Sequence, residues 1–200
     1  MANWPLGCGR RSSALSLTRE RGASRERVVN EMTTETDARG LRDRLWDALQ
    51  DVVDPEIPAV SIVEMGMVNA VEVAGEGHVT VEILPTFSGC PALDVIGSHV
   101  RERVAREPGV STVDVRFVFD PIWSTDRVTP AGKEKLKGFG VAPAPLLRGR
   151  PLPMLQREPV ACPFCGSTHT AMDNLFGPTP CRSLYRCLDC RNPFERFKAL

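Results

Sequence analysis

The chain has 200 residues, 42% of them apolar, enough to bury one core of ordinary size or two small ones. No stretch reaches the roughly 18 consecutive apolar residues of a membrane helix, and the first thirty residues lack the apolar centre of a secretory signal, so the cytoplasm is the expected compartment. A formal net charge of zero conceals an acidic body and a basic tail: residues 32–126 carry 17 Asp/Glu against 7 Lys/Arg, and residues 127–200 carry 5 against 12.

Residues 1–36 are rich in Arg, Ser and Thr and carry no apolar period, so they read as a disordered extension with the biological start expected at Met32. A first helix is predicted over residues 37–53, capped by Thr36 or Asp37, with Leu41, Leu45, Leu49 and Val52 or Val53 on one face. Pro55 stops it. Residues 60–84 shift to near-alternation around Gly75-Glu76-Gly77, the pattern of a β-hairpin. A second helix is predicted over 91–106 with the stripe Leu93, Ile96, Val100 and Val104, and a third strand follows through Val113, Val115, Phe117 and Phe119. The result is an α+β body of order αββαβ over residues 37–140, a three-stranded sheet with two helices on one side. Its last element is a short helix over 130–138, begun by Thr129-Pro130. The prolines of 141–159 mark a semi-extended linker, and residues 160–200 form a second small unit. The basic tail suits the chain's own acidic body, an acidic partner or nucleic acid; the acidic body disfavours the last.

Five of the seven cysteines fall within 162–190, which in the absence of a secretory signal reads as metal ligation. Cys162-Pro163-Phe164-Cys165 and Cys187-Leu188-Asp189-Cys190 are two C-x-x-C knuckles whose four thiolates can converge tetrahedrally on one ion, with hairpin arms over 170–176 and 183–186. A segment so poor in apolar side chains needs the metal to fold. The ion reads as structural zinc, with iron, an iron–sulfur cluster or a dithiol redox pair as alternatives. Cys181 is either a spare ligand or a small buried hydrophobe. His169 is a candidate to take the place of one of these cysteines as ligand.

Cys90 lies in Thr86-Phe87-Ser88-Gly89-Cys90-Pro91, between a strand and a helix. Pro91 favours the first helical turn, which puts Cys90 near the N-cap, where free N–H groups and the helix dipole would ionise it. The alternative is a neutral buried cap residue. Asp54-Pro55-Glu56 and Asp120-Pro121-Ile122-Trp123-Ser124 are proline-stiffened acidic loops that would add carboxylates beside the thiol if the fold brings them there. There is no histidine placed by motif beside Cys90 and no Gly-rich phosphate loop, so a conventional enzyme is the weakest reading.

Together, Asp54-Pro55-Glu56, Thr86 through Pro91, Phe119 through Ser124 and the terminal knuckles resemble, over residues 38–200, the phenylacetate-degradation protein D/J family of the phenylacetyl-CoA epoxidase complex. The body is similar to the wider iron–sulfur assembly domain family. The resemblance implies that Cys90 is the family's signature cysteine, with Asp54, Glu56 and Thr86 in adjoining motifs, and that residues 160–200 are a zinc ribbon. Residues 1–31 and Pro180 depart from the pattern. It further implies an accessory, non-catalytic role in aerobic phenylacetate breakdown, maturing an iron or iron–sulfur centre that passes transiently over the protein. The partners implied are the oxygenase or reductase subunits of the epoxidase, with neither nucleic acid nor membrane involved. The alternative is a structural subunit that stabilises the oxygenase assembly.

Overall fold

Leucines three and four residues apart begin the ordered chain. A helix over residues 39–49 (α1) turns Leu41, Leu45, Ala48 and Leu49 into the core and leaves Arg42, Asp43 and Arg44 exposed. The computed structural model describes residues 39–144 and 159–198. The expected extension over 1–36, its Met32 start, the cap at Thr36 or Asp37 and most of the 141–159 linker lie outside them. The helix ends before the expected residue 53 because the chain doubles back at once. Ile62 donates to the Val52 carbonyl at 2.9 Å and Asp54 to that of Val60 at 3.0 Å.

The hairpin begins later than its apolar pattern predicts. Val60, Ile62, Met65 and Met67 are all buried, yet none lies in a strand, and Met65 donates to the Ser61 carbonyl and Met67 to that of Ile62. They form a packed turn. Strand β1 (Val68–Ala74) then pairs antiparallel with β2 (His78–Ile83). At the intervening turn Gly77 has φ of 76°, and a Cβ there would stand 2.1 Å from the Gly109 carbonyl oxygen. Helix α2 (Leu93–Val104) buries Ile96, Val100 and Val104 and returns the chain to β3 (Thr112–Phe117), parallel to β2. The sheet order is β1-β2-β3, and register aligns Val71, Val81 and Val115 in one buried row. The expected α+β body is therefore present, although β3 stops at Phe117 and leaves Phe119 exposed.

Beyond β3 the chain is anchored by polar contacts to the packed turn. The buried ring of Trp123 donates to the Met65 carbonyl at 2.9 Å, and Arg127 Nε donates to that of Gly66 at 2.8 Å. Helix α3 (Pro130–Gly138) starts as its sequence predicts, with Thr129 Oγ1 accepting from the Gly132 N–H at 3.0 Å.

The second sheet has the order β4-β7-β6-β5, built from β4 (Val141–Ala142), β5 (Thr170–Asn174), β6 (Arg182–Cys187) and β7 (Pro193–Phe197). Strand β4 runs parallel to β7, and the other neighbours are antiparallel. Two of these strands were not expected. Val141–Ala142 falls where a linker is predicted and is too short to carry a period. Strand β7 opens on a proline and buries Phe194 and Phe197, three residues apart, which hides its alternation.

From Leu41 onward the described residues form one compact unit, so the ribbon is docked on the body. The joint centres on Arg182, whose side chain is only 7% exposed. Its Nη2 meets Glu56 of the body at 3.3 Å and its Nη1 meets Glu195 of β7 at 2.5 Å, the latter an ion pair without hydrogen-bond alignment. Beside it Trp123 packs on Phe197 with ring centroids 5.7 Å apart. Lys135 likewise pairs with Glu64 at 2.6 Å. Basic residues of the tail thus face acidic residues of the same chain.

Removing one member of a buried ion pair strands the others. Arg182→Ala should therefore destabilise the protein by about 3–5 kcal/mol, read as a lower urea midpoint at unchanged denaturant slope. A loss below about 1 kcal/mol, the range of exposed pairs, would show that the joint is not held this way.

Candidate functional site

The ribbon brings four sulfurs together. Gly166, with φ of 76°, lets its N–H reach the Cys162 carbonyl at 2.8 Å, and this tight turn puts Cys162 and Cys165 on the same side. In the second knuckle the Cys190 N–H points at Cys187 Sγ at 3.5 Å. The Sγ atoms of Cys162, Cys165, Cys187 and Cys190 all lie within 4.8 Å of one another. Cys162 to Cys190 is 3.7 Å and Cys165 to Cys187 is 3.6 Å. A tetrahedron of sulfurs about 2.3 Å from a central zinc has edges of about 3.8 Å, so the donor set fits that ion.

Without a cation these thiols constrain one another. The N–H groups of Cys190 and Asp189 lower Cys187 to about 7. At Cys165 the Ser167 N–H favours the thiolate, but desolvation and the neighbouring sulfurs outweigh it and push the thiol up to about 12. One bound cation would let all four ionise. His169 takes the place of none of the four cysteines: its Nδ1 pairs with Asp189 at 2.9 Å, and Asp189 also accepts from Ser167, so the three brace the two knuckles against each other. Cys181 also stands outside this cluster. It is half-buried against the core of the body, with Thr179 Oγ1 at 3.2 Å from its sulfur.

The second site surrounds Cys90, and here one expectation is corrected. Helix α2 begins at Leu93 with Ala92 as its N-cap, so Cys90 precedes the cap by two residues, in the turn where its N–H donates to the Phe87 carbonyl at 3.1 Å. The thiol is half-buried and is not pre-ionised. Burial raises it, the Ala92 N–H pulls it back, and the charges of Glu56, Asp54 and Cys181 push it up again. Desolvation and like charge thus outweigh the helix end.

Of the two proline-stiffened acidic loops, the first supplies the carboxylates that Cys90 feels. Asp54 Oδ1 accepts from the N–H groups of Glu56 at 2.7 Å and Ile57 at 3.1 Å, which fixes the turn and aims Glu56 at Arg182. Thr86 is buried at the base of the Cys90 loop. The second loop contributes apolar surface instead, since Phe119, Ile122 and Trp123 join Thr86, Phe87 and Ser88 in lining a groove of about 360 Å³. Asp120 itself is exposed. Sequence reading missed Arg182 as the joint and Cys181 as a group within electrostatic reach of Cys90. The only local signal was the adjacency of a spare cysteine and an arginine in a segment with little apolar content.

Among known proteins, residues 42–115 match the family model described as "Iron-sulfur cluster assembly protein", and residues 152–198 match "PaaD zinc beta ribbon domain". The chain is 39% identical over 156 residues, 78% of its length, to the Escherichia coli (strain K12) protein named as the D component of a "Putative 1,2-phenylacetyl-CoA epoxidase", and covers 92% of it. It is 32% identical over 93 residues, 46% of its length, to the Bacillus subtilis (strain 168) "Fe-S protein maturation auxiliary factor YitW", 90% of which is covered. A solved structure from Bacillus anthracis, described as "Domain of Unknown Function DUF59", superposes with a TM-score of 0.49 at 28% identity. That match covers 51% of this chain and 96% of the other. No helix among the described residues is long and apolar enough to cross a membrane.

Both sulfur sites can be tested in solution. Extracting metal with a strong chelator should release one equivalent and strip the amide-exchange protection of β5 and β6, because ion binding and ribbon folding are coupled; full protection after metal loss would contradict the coupling. The iodoacetamide alkylation rate of Cys90 should rise with pH about a midpoint above the ordinary cysteine value of about 8.5. Glu56→Gln should move that midpoint down, since it removes a negative charge beside the thiolate.

Proposed function

The chain belongs to the phenylacetate-degradation protein D/J family of the phenylacetyl-CoA epoxidase complex, and on that premise we propose that it serves the epoxidase as a maturation factor, accepting iron or an iron–sulfur unit at Cys90 and delivering it to an oxygenase or reductase component. An accessory role related to iron–sulfur assembly is common to the relatives of its body, which are named as maturation factors.

The observation that carries the finer reading is the setting of Cys90. A half-buried thiol lies within electrostatic reach of Glu56, Asp54 and Cys181, so carboxylates and a second sulfur bear on the same turn-rich corner of the fold. The cargo's positive charge would reverse the penalty that the carboxylates impose on the thiolate. Binding then releases the thiol proton to solvent, and protonation on departure helps to let the cargo go. The four ribbon cysteines would hold a zinc as a closed structural site that takes no part in the exchange.

A second reading has support of its own. The neutral state of Cys90 and the burial of Arg182 also suit a subunit that only stabilises the oxygenase assembly. The two separate on one variant. Cys90→Ser, checked for an unchanged urea midpoint, should leave the client with metal-centre content and epoxidation rate reduced at least about tenfold, the scale of losing a metal-site group. Full client occupancy and rate in that variant would refute delivery through Cys90 and leave the scaffolding role.

A further inference from the structure

The outer edge of strand β5 is open but bears nothing that selects an occupant, and the Ser167–His169–Asp189 brace serves the knuckles it joins. The apolar groove between the Cys90 loop and the loop after β3 is different. It is lined by the buried ring of Trp123, which its bond to the Met65 carbonyl at 2.9 Å fixes in place. Around that ring stand three large apolar side chains left in water: Ile122 is 83% exposed, Phe119 55% and Phe87 37%. Such a cluster marks a binding surface more often than apolar residues scattered singly do. At about 360 Å³ the groove is near the lower end of ligand cavities, about 300–1,000 Å³. It has room for one or two side chains of a partner.

The groove and Cys90 share one turn. The Cys90 N–H donates to the Phe87 carbonyl at 3.1 Å, closing four residues whose ends lie within about 7 Å of each other. The Phe87 ring lies over Gly89, where a Cβ would stand 3.2 Å from it. A partner seated in the groove therefore touches a ring packed on the same turn that presents the thiol. The charges select the kind of partner. The two loops, residues 84–93 and 117–125, hold one charged side chain, Asp120. It is exposed and meets no cation among the described residues. A second copy seated two-fold on the groove would bring two Asp120 carboxylates together, between bodies that each carry 17 Asp/Glu against 7 Lys/Arg over residues 32–126. A segment with Lys or Arg beside its apolar side chain has the matching sign.

Resting on the reading of Cys90 given above, we propose that this groove is the docking site of the protein that receives the cargo, and that it takes one large apolar side chain flanked by Lys or Arg. The apolar side chain sits among Phe87, Phe119 and Ile122, and the flanking cation pairs with Asp120. Burial of the anchor holds the partner, while the acidic body steers it in and sets its register. Because Trp123 is fixed by its hydrogen bond and Phe87 by the turn at Gly89, the groove loses little conformational freedom on binding. Docking thus sets the partner beside the Cys90 turn before any transfer begins.

The test uses the full zinc-loaded chain, with the purified oxygenase and reductase components of the epoxidase as probes, read by surface plasmon resonance. Wild type should bind one of them. Ile122→Asp, at a position already in water and checked for an unchanged urea midpoint, should weaken that binding at least about tenfold. Asp120→Lys should slow association and flatten its dependence on salt. Wild-type affinity in Ile122→Asp, or binding of neither component by wild type, would overturn the proposal. A photo-crosslinking group placed at position 122 should join the chain to a component peptide that carries Lys or Arg beside a large apolar residue. A link to a second copy, or to residues 1–38 of the same chain, would overturn it as well. Metal content of the bound component separates this proposal from the reading it rests on. If Ile122→Asp loses affinity while Cys90→Ser still fills the component, docking stands and delivery through Cys90 fails. If Cys90→Ser leaves the component empty while Ile122→Asp binds and fills it as wild type does, the groove is overturned and the Cys90 reading survives.

Discussion

A buried arginine stands at the joint between the two halves of this protein. Arg182 leaves water almost completely, and a guanidinium so placed is tolerable only with its charge matched on more than one side. Glu56 from the body and Glu195 from the ribbon provide that match. The arrangement works as a positional lock, because undocking would break the Arg182–Glu56 half of the match. The Trp123–Phe197 contact adds apolar area beside it, and β4 feeds the chain from the body straight into the ribbon sheet. Acidic body and basic tail are therefore partly neutralised within the chain.

That lock gives the chain two unlike sulfur environments. In the ribbon, two knuckles converge four thiols at the spacing a zinc requires, and a lowered Cys187 begins the ionisation that the cation completes. At the Cys90 corner the thiols are few, half-buried and kept protonated by burial and by carboxylates.

Much of this was legible in the residues. Stripes at helical spacing placed α1 and α2, alternation placed the core of the hairpin and of β3, and Thr129-Pro130 placed the start of α3. The knuckles specified their own cluster, since C-x-x-C spacing acts through a local turn. Failures occurred where tertiary contacts overrule local pattern. Residues 60–67 carry strand-like apolar content but pack as a turn, and Val141–Ala142 become a strand only because β7 is there to pair with them. At Cys90 the helix dipole taken alone predicts an ionised thiol. Burial and two carboxylates from a loop 34 to 36 residues earlier reverse that sign. That Cys181 comes within electrostatic reach of Cys90 depends on docking of the ribbon on the body, which no periodicity encodes.

Docking of the ribbon on the body depends on the contact between Arg182 and Glu56. A double-mutant cycle of Arg182→Ala and Glu56→Gln, read by urea denaturation of the zinc-loaded chain, tests that contact directly. The two changes should couple by about 1 kcal/mol or more. Losses that simply add would contradict a joint held by this pair.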